Sequence, residues 1–309
     1  MNLPEETWLK MVILLAVVLV SWSIPLLIFT LIRHRRGKDI RSVWTKYISW
    51  FIMFPAFIVP MLLGVTVMQA FFLVLSLFAF EEFSRAVGLW RERVHMWLGR
   101  FCIFLVYIAV FTKGFGLFMS MPAYVILLTF LIPIFRDQFS AMIQKTCLTI
   151  IGVIYFGWFL AHLAFLLNAS TGRELVLAMM LIVVTNDAVA YIIGSTFGKR
   201  RMVPNLSPNK TWEGAIGAMI VTVGVTIGLR FALYDMTVLI AALFGLLLAF
   251  GGTCGDLVIS VIKRDVQIKD TGNLIPGHGG LLDRLDSVLF VSPIFFHFMN
   301  AFYIHQLVS

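Results

Sequence analysis

The sequence predicts an all-α, polytopic integral membrane protein with about ten transmembrane helices. Three observations carry that expectation. Of the 309 residues, 60% are hydrophobic and only 13% are charged, against roughly 25% charged in a soluble domain. The mean hydropathy is +0.95. The basic residues collect in alternate gaps between apolar runs, as the positive-inside rule requires of a multi-pass protein.

The runs, in chain order, cover 10–32, 48–65, 67–84, 101–113, 115–134, 146–168, 175–197, 211–229, 237–262 and 287–306. Most reach the length that a helix needs to cross the hydrocarbon layer, about 20 residues. The run at 101–113 is short, and it and 115–134 are expected to tilt, re-enter or extend into their flanks. The first run is not read as a cleaved signal peptide. Glu5 and Glu6 stand where a basic n-region would be, and the run is long for an h-region.

Charge fixes an orientation. Gaps 33–47, 85–100, 136–145, 199–210 and 263–284 hold 20 of the 24 Lys and Arg. Ten spans with all five gaps in the cytoplasm and both termini outside fit that asymmetry. The net charge of +8 is thereby explained by topology and implies no nucleic-acid partner. Trp44, Trp50, Trp90 and Trp97 fit interfacial anchors. Cys102, Cys147 and Cys254 show no metal-type spacing. They are expected to be unpaired, small buried residues.

Polar chemistry divides the chain. Residues 1–170 have almost no polar group inside a span and read as N-terminal transmembrane scaffold. Residues 171–309 hold nearly all such groups and read as a catalytic transmembrane region with cytoplasmic polar loops. Asp187 and Asp256 sit within apolar runs. There a carboxylate costs at least about 2.5 kcal/mol and normally pairs or lines a wet cavity. On a helix, Asp187, Tyr191, Gly194 and Gly198 share one face, and so do Asp256, Ser260 and Lys263.

Between 260 and 286, 27 positions hold four basic residues, four acidic residues, one His and four Gly. Asp283 and Asp286 are i, i+3 and point the same way on a helix. Either a hard divalent cation joins them, with Asp256 as a third ligand, or they cap the last helix against its dipole. Gly277, Gly279 and Gly280 form a turn that either brings backbone N–H groups to a phosphate or is simply tight. His278 either acts on a phosphate or bonds its own loop. The stretch 205–214 supplies Ser207 and Thr211 as helix caps, with Pro208 and Glu213 in a first turn. Lys210 opposes a helix dipole there, and a bound anion would remove the conflict.

The pattern S-x-x-K-R-x4-K-D-x-G-x3-P-x-H-G-G-x2-D-R-x-D falls on Ser260, Lys263, Arg264, Lys269, Asp270, Gly272, Pro276, His278, Gly279, Gly280, Asp283, Arg284 and Asp286. This resembles the defining motif of the phosphatidate cytidylyltransferases, the CDP-diacylglycerol synthases. Asn186, Asp187, Tyr191, Gly194, Phe197, Gly198 and Lys199 resemble the same family. So do S-P-N-K-T-W-E-G from Ser207 to Gly214 and the triplet Cys254, Gly255, Asp256. The resemblance covers about 180–290. The N-terminal half is similar only in being polytopic.

The resemblance implies that CTP and phosphatidate give CDP-diacylglycerol and pyrophosphate at the cytoplasmic side of the inner membrane. It implies Mg²⁺, with K⁺ as a candidate second cation. Asp256, Asp283 and Asp286 would hold metal. Lys263, Arg264, Lys269, Asp270, His278 and Arg284 would serve catalysis. Ser207, Lys210, Thr211, Asp187 and Ser260 would bind or shape the space for substrate. Two other classes stay open on the residues alone: a CTP-transferase for an isoprenoid or ether lipid phosphate, and a polytopic transporter. A transporter would show broken segments in both halves, whereas the polar content here lies in one. Gly214 and Ala218 would permit helix packing, including a homodimer.

Overall fold

A computed structural model describes residues 55–137, 139–272 and 280–303, with Leu9, Lys10, Ile13 and Leu14. Eight of the ten expected runs form helices there. They are α1 (Val65–Ala86), α2 (Arg93–Phe111), α3 (Phe115–Arg136), α4 (Met142–Leu166), α5 (Gly172–Phe197), α6 (Trp212–Gly228), α7 (Val238–Asp265) and α8 (Leu282–Phe302). Seven are long and apolar enough to cross a membrane, and α6, at 17 residues, is shorter. The run at 10–32 falls almost wholly outside the described residues; of the run at 48–65, residues 55–65 are described, and 55–63 is helical. The short run at 101–113 is completed by extension into its N-terminal flank, giving α2 19 residues, and α3, with 22, adds two residues to the run at 115–134.

Lipid explains why these helices are stable with so much apolar surface uncovered. The most apolar window of α3 is only 28% buried, and Leu127, Ile134 and Phe135 on it are exposed. In water that surface would drive aggregation. In hydrocarbon it is the natural exterior, because each helix satisfies its own backbone.

The chain divides into two compact units. One contains 171–250. Here α5 and α6 pack closely because their contact is lined by small residues. A Cβ on Gly214 would lie 2.8 Å from Ala190 O and 3.0 Å from Gly194 Cα. Ala218 is fully buried. The Gly214 and Ala218 pair is thus used within the chain. Asn186 lies buried beside Thr222, whose hydroxyl donates to Asn186 Oδ1 at 3.3 Å. Between the two helices runs a hairpin that the sequence reading lacked: β1 (Arg201–Val203) antiparallel to β2 (Ser207–Thr211). Pro208 therefore lies in a strand and not in the first turn of α6.

The other unit contains 60–170, 251–274 and 280–309. Its core is aromatic: Phe118 stacks on Phe165, with His162 and Phe296 edge-on to it. Buried polar groups are paired across helices. Ser76 and Tyr107 share a 2.8 Å hydrogen bond. Gln69 donates to Ala164 O and Asn168 Oδ1, and Asn168 donates to Val110 O. Inside α4, residues 153–158 form a π-helical turn. Gly152 beside it sits on the Phe80 and Phe83 rings, and Gly157 within it on Ile103, so neither position has room for a Cβ. The three cysteines are free as expected, but only Cys102 is buried; Cys254 is half-buried and Cys147 is exposed.

At the junction before α2, Lys145 reaches Glu92 at 2.8 Å. The hydrogen bond from Lys145 holds the Glu92 carboxyl below its ordinary 4.5. A depressed carboxyl favours the fold above its unfolded value and loses that contribution as pH falls through the folded value. Thermal unfolding in detergent should therefore show this pair's contribution, at most about 1 kcal/mol, above pH 4.5 and not well below it. Lys145→Met should remove that pH dependence; an unchanged profile would discard the pair as a stabilising contact.

Two glycines on α6 provide an internal control. Gly224 has nothing within 4 Å of an added Cβ, whereas Gly214 meets backbone. Gly224→Ala should be neutral or raise stability by up to about 1 kcal/mol through helix propensity. Gly214→Ala should lower it, by about 1–3 kcal/mol of overpacking. Equal effects in thermal unfolding would contradict the close α5–α6 contact.

Candidate functional site

In the second unit, α7 and α8 converge because glycine lets them. A Cβ on Gly255 would fall 2.5 Å from Asp286 O and 2.9 Å from Ser287 Cα. Ser287 Oγ donates to Gly252 O at 3.1 Å. Asp256, next to Gly255, is thereby brought to the helix that carries Asp286. The shared face expected on α7 is present, since Ser260 Oγ donates to Asp256 Oδ1 at 3.4 Å.

α7 ends in a left-handed turn at Gln267, φ 57°. Ile268 N donates to Lys263 O and Gln267 N to Arg264 O. That pair of bonds is the Schellman arrangement, here without glycine. It fixes Lys263 and Arg264 in the last turn and sends Lys269 and Asp270 out as exposed residues.

Lys263 Nζ then meets Asp283 Oδ1 at 2.6 Å, and both side chains are largely buried. Asp283 Oδ2 accepts from Thr271 N at 3.3 Å and Gly280 N at 3.2 Å, and lies 3.3 Å from the Thr271 hydroxyl oxygen. The back-bond to Gly280 is the capping role left open for Asp283. The Lys263 ammonium already neutralises this carboxylate. Asp286 Oδ1 accepts from Ser287 N at 2.8 Å. Tyr155, in the π-helical turn, lies within electrostatic range of Asp286 and Cys254. Arg284 follows Asp283 on α8 and is half-buried. His278, with Pro276, Gly277 and Gly279, lies outside the described residues.

Glu82 is the residue that sequence reasoning missed. It belongs to α1, nearly 200 positions away. The N-cap position of α8 is Leu281, which has no side chain to cap with. Glu82 supplies the cap: it accepts from Leu281 N at 2.8 Å and Leu282 N at 3.2 Å, and from the Thr271 hydroxyl. Gly280 lies against Glu82 so closely that any Cβ would collide with the carboxylate. The signal was present in the sequence, as two adjacent acids, Glu81 and Glu82, inside the apolar run 67–84.

No three His, Cys, Asp or Glu side chains are grouped to hold a metal among the described residues. The donor chemistry still suits Mg²⁺, because hard carboxylate oxygens, here from Asp256 inside α7 and Asp283 and Asp286 near the start of α8, are what that ion takes.

The 171–250 unit holds the other expected residues. Thr211 is the N-cap of α6, accepting from Gly214 N at 3.2 Å, as its sequence position implies. It is buried against Gly194 and Gly198, which is why both positions lack a side chain. Ser207 and Lys210 lie in β2, Ser207 opposite Val203. Ser207 is therefore not a helix cap. Glu213 ties the hairpin to α6, accepting from Lys199 N and Arg200 N at 3.1–3.2 Å. Asp187 is exposed on α5 and accepts from Asn186 Nδ2 at 3.3 Å.

Removing Glu82 leaves the backbone N–H groups of Leu281 and Leu282 without their acceptor. Glu82→Ala should cost about 1–3 kcal/mol, the range for losing a cap or leaving a buried donor unpaired. Gly280→Ala, which collides with the same carboxylate, should do likewise. Thermal unfolding in detergent checks both; wild-type stability in both variants would show that Glu82 does not hold α8.

Comparison with known proteins agrees with the resemblance in the motif. The model of the cytidylyltransferase family matches residues 44–302. Uncharacterized protein YnbB of Escherichia coli (strain K12) is 35% identical over 240 residues, 74% of this chain and 78% of that protein. The phosphatidate cytidylyltransferase of Mycobacterium bovis is 44% identical over 126 residues, 41% of each chain. That of Staphylococcus haemolyticus is 38% identical over 160 residues, 52% of this chain and 60% of the relative. The chain thus spans about two fifths to three fifths of the length of these two named enzymes. Since the family match runs through nearly all the described helices, the chain belongs to the cytidylyltransferase family.

Proposed function

We propose that this protein is a CTP:phosphatidate cytidylyltransferase of phospholipid biosynthesis. The observation that carries the reading is the meeting of Lys263, Thr271, Gly280 and Asp283 where α7 ends and α8 begins. These residues lie in the segment that resembles the synthase motif, and they form one hydrogen-bonded cluster.

In the reaction, a phosphate oxygen of phosphatidate forms a bond to the α-phosphorus of CTP. The bond from that phosphorus to the bridging oxygen of the β-phosphate breaks, and pyrophosphate leaves with the electron pair. Both reactants are anions, so cations must offset their repulsion before they can approach in line. Lys263, Arg264, Lys269 and Arg284 supply fixed positive charge for the triphosphate and the lipid phosphate. Asp283 orients Lys263, and Asp270 and His278 complete the polar segment. Mg²⁺ held by Asp256 and Asp286, with Asp283 beside them, would neutralise triphosphate oxygens and the leaving pyrophosphate. A monovalent cation such as K⁺ is the second ion in this reading.

Within the 171–250 unit, Ser207, Lys210 and Thr211 bind phosphate and Asp187 shapes the space for substrate; within the other unit, Ser260 does so. Residues 171–309 supply the substrate-handling groups, and residues 1–170 supply wall and the Glu82 support. In this reading the chain crosses ten times and the motif lies on the cytoplasmic face of the inner membrane, where CTP and the lipid phosphate both arrive. Contact with a second copy is left to helix faces other than that of Gly214 and Ala218. Positioning and charge suffice, so no covalent cytidylyl-enzyme forms.

Purified protein in detergent, given labelled CTP, phosphatidate and Mg²⁺, should release CDP-diacylglycerol and pyrophosphate in equal amounts. EDTA should abolish both. Asp283→Ala and Lys263→Ala should lower the rate about 100-fold or more, as loss of a charge-stabilising group does. Product formed only with an isoprenoid phosphate would reassign the acceptor. Folded protein that binds no CTP would overturn the reading.

A further inference from the structure

Beside the motif, and apart from it, the second unit has a pocket of approximately 430 Å³ lined by Glu81, Arg85, Trp90, Arg93, Trp97 and Arg100. That volume suits a small-molecule site. Three guanidinium groups face one carboxylate. Glu81 pairs with Arg85 at 3.2 Å and Arg100 at 2.5 Å. Arg93 makes no salt bridge among the described residues. Arg100 lies 5.2 Å from the centre of the Trp97 ring. The pocket therefore keeps an excess of positive charge beside two indoles. Guanidinium groups bind phosphate in a planar, two-pronged fashion.

The face of α2 that runs from this pocket is apolar and suits acyl chains. Trp97, Phe101, Phe104 and Ile108 fall at i, i+4, i+7 and i+11, one face of the helix. They are 69%, 53%, 48% and 49% exposed. A soluble phosphate ester has no use for such a stripe. A lipid does: its phosphate fits the arginines and its acyl chains lie along the apolar face. Basic pockets between transmembrane helices bind lipid headgroups in this way, and indoles prefer the depth at which headgroup meets chain.

We propose that this pocket binds the phosphate headgroup of an anionic glycerophospholipid, with the acyl chains running along α2. Glu81 in the pocket adjoins Glu82, which caps α8. An anionic lipid is thus held at the same end of the unit as the Lys263 and Asp283 cluster. No step of the cytidylyl transfer is needed for this binding.

Phosphatidylglycerol is the probe, because its headgroup is a phosphodiester and not the monoester acceptor of the reaction. Purified full-length protein is titrated with it and with phosphatidylcholine, and bound lipid is counted by native mass spectrometry. Wild-type protein should retain phosphatidylglycerol in preference. Arg93→Gln should bind it about fivefold more weakly, the effect of one interfacial cation, while Arg93→Lys should restore most of the loss. Arg85→Gln is a second variant should the first not fold. Equal retention of phosphatidylcholine, or unchanged binding in a folded Gln variant, would overturn the proposal. So would displacement of the lipid by CTP or glycerol 3-phosphate, since the pocket would then serve soluble phosphates.

Discussion

The Glu82 carboxylate is the contact on which the motif region depends. α8 begins at a leucine pair in a polar surrounding, and a helix start without a cap leaves donors unsatisfied. Neither Leu281 nor Leu282 can supply an acceptor. Glu82 takes both backbone N–H groups and the Thr271 hydroxyl together. It thereby fixes the start of α8 and the segment that follows α7. Asp283 sits one residue into that helix, so its aim at Lys263, Thr271 and Gly280 follows from the same anchor.

Close backbone approach is the second constraint, and glycine provides it in both units. Hydrocarbon gives no hydrophobic drive between helices, so tight packing must do more of the work. Gly251 and Gly255 let α7 lie on Val291, Ile294 and the Asp286 carbonyl. Gly214 and Gly194 do the same for α6 and α5. In each pair the small residue stands within one or two turns of a polar one, Asp256 in the first and Thr211 in the second. Packing and site geometry are therefore set by the same residues, and a side chain added at either place would displace both.

Much of the site was legible because its residues are polar in an apolar chain. Lys263 and Asp283 stood out for that reason, and Thr211 was readable as a cap from its position before an apolar run. The hairpin was less legible. Ser207 and Thr211 are good capping residues and Pro208 a good first-turn residue, so local propensity pointed to a helix start. The pairing of Thr211 with Arg201 overrode it, leaving Thr211 as the cap and Ser207 in a strand. Glu82 was passed over because it lies in the half read as scaffold, although an acidic pair at the end of an apolar run is costly without partners.

Sequence by itself determined the class of the protein. Runs of apolar residues at membrane length and basic gaps between them are one-dimensional patterns, and in lipid a continuous apolar run of about 20 residues satisfies its backbone as a helix. It also determined the chemistry of the polar segment, since residue type and spacing carry that directly. Only the tertiary structure decided which groups meet. The Lys263 and Asp283 pair joins positions 20 apart, and Glu82 reaches residues 189 to 200 positions away. Such contacts depend on how helices are packed side by side, and no local period in the chain encodes that.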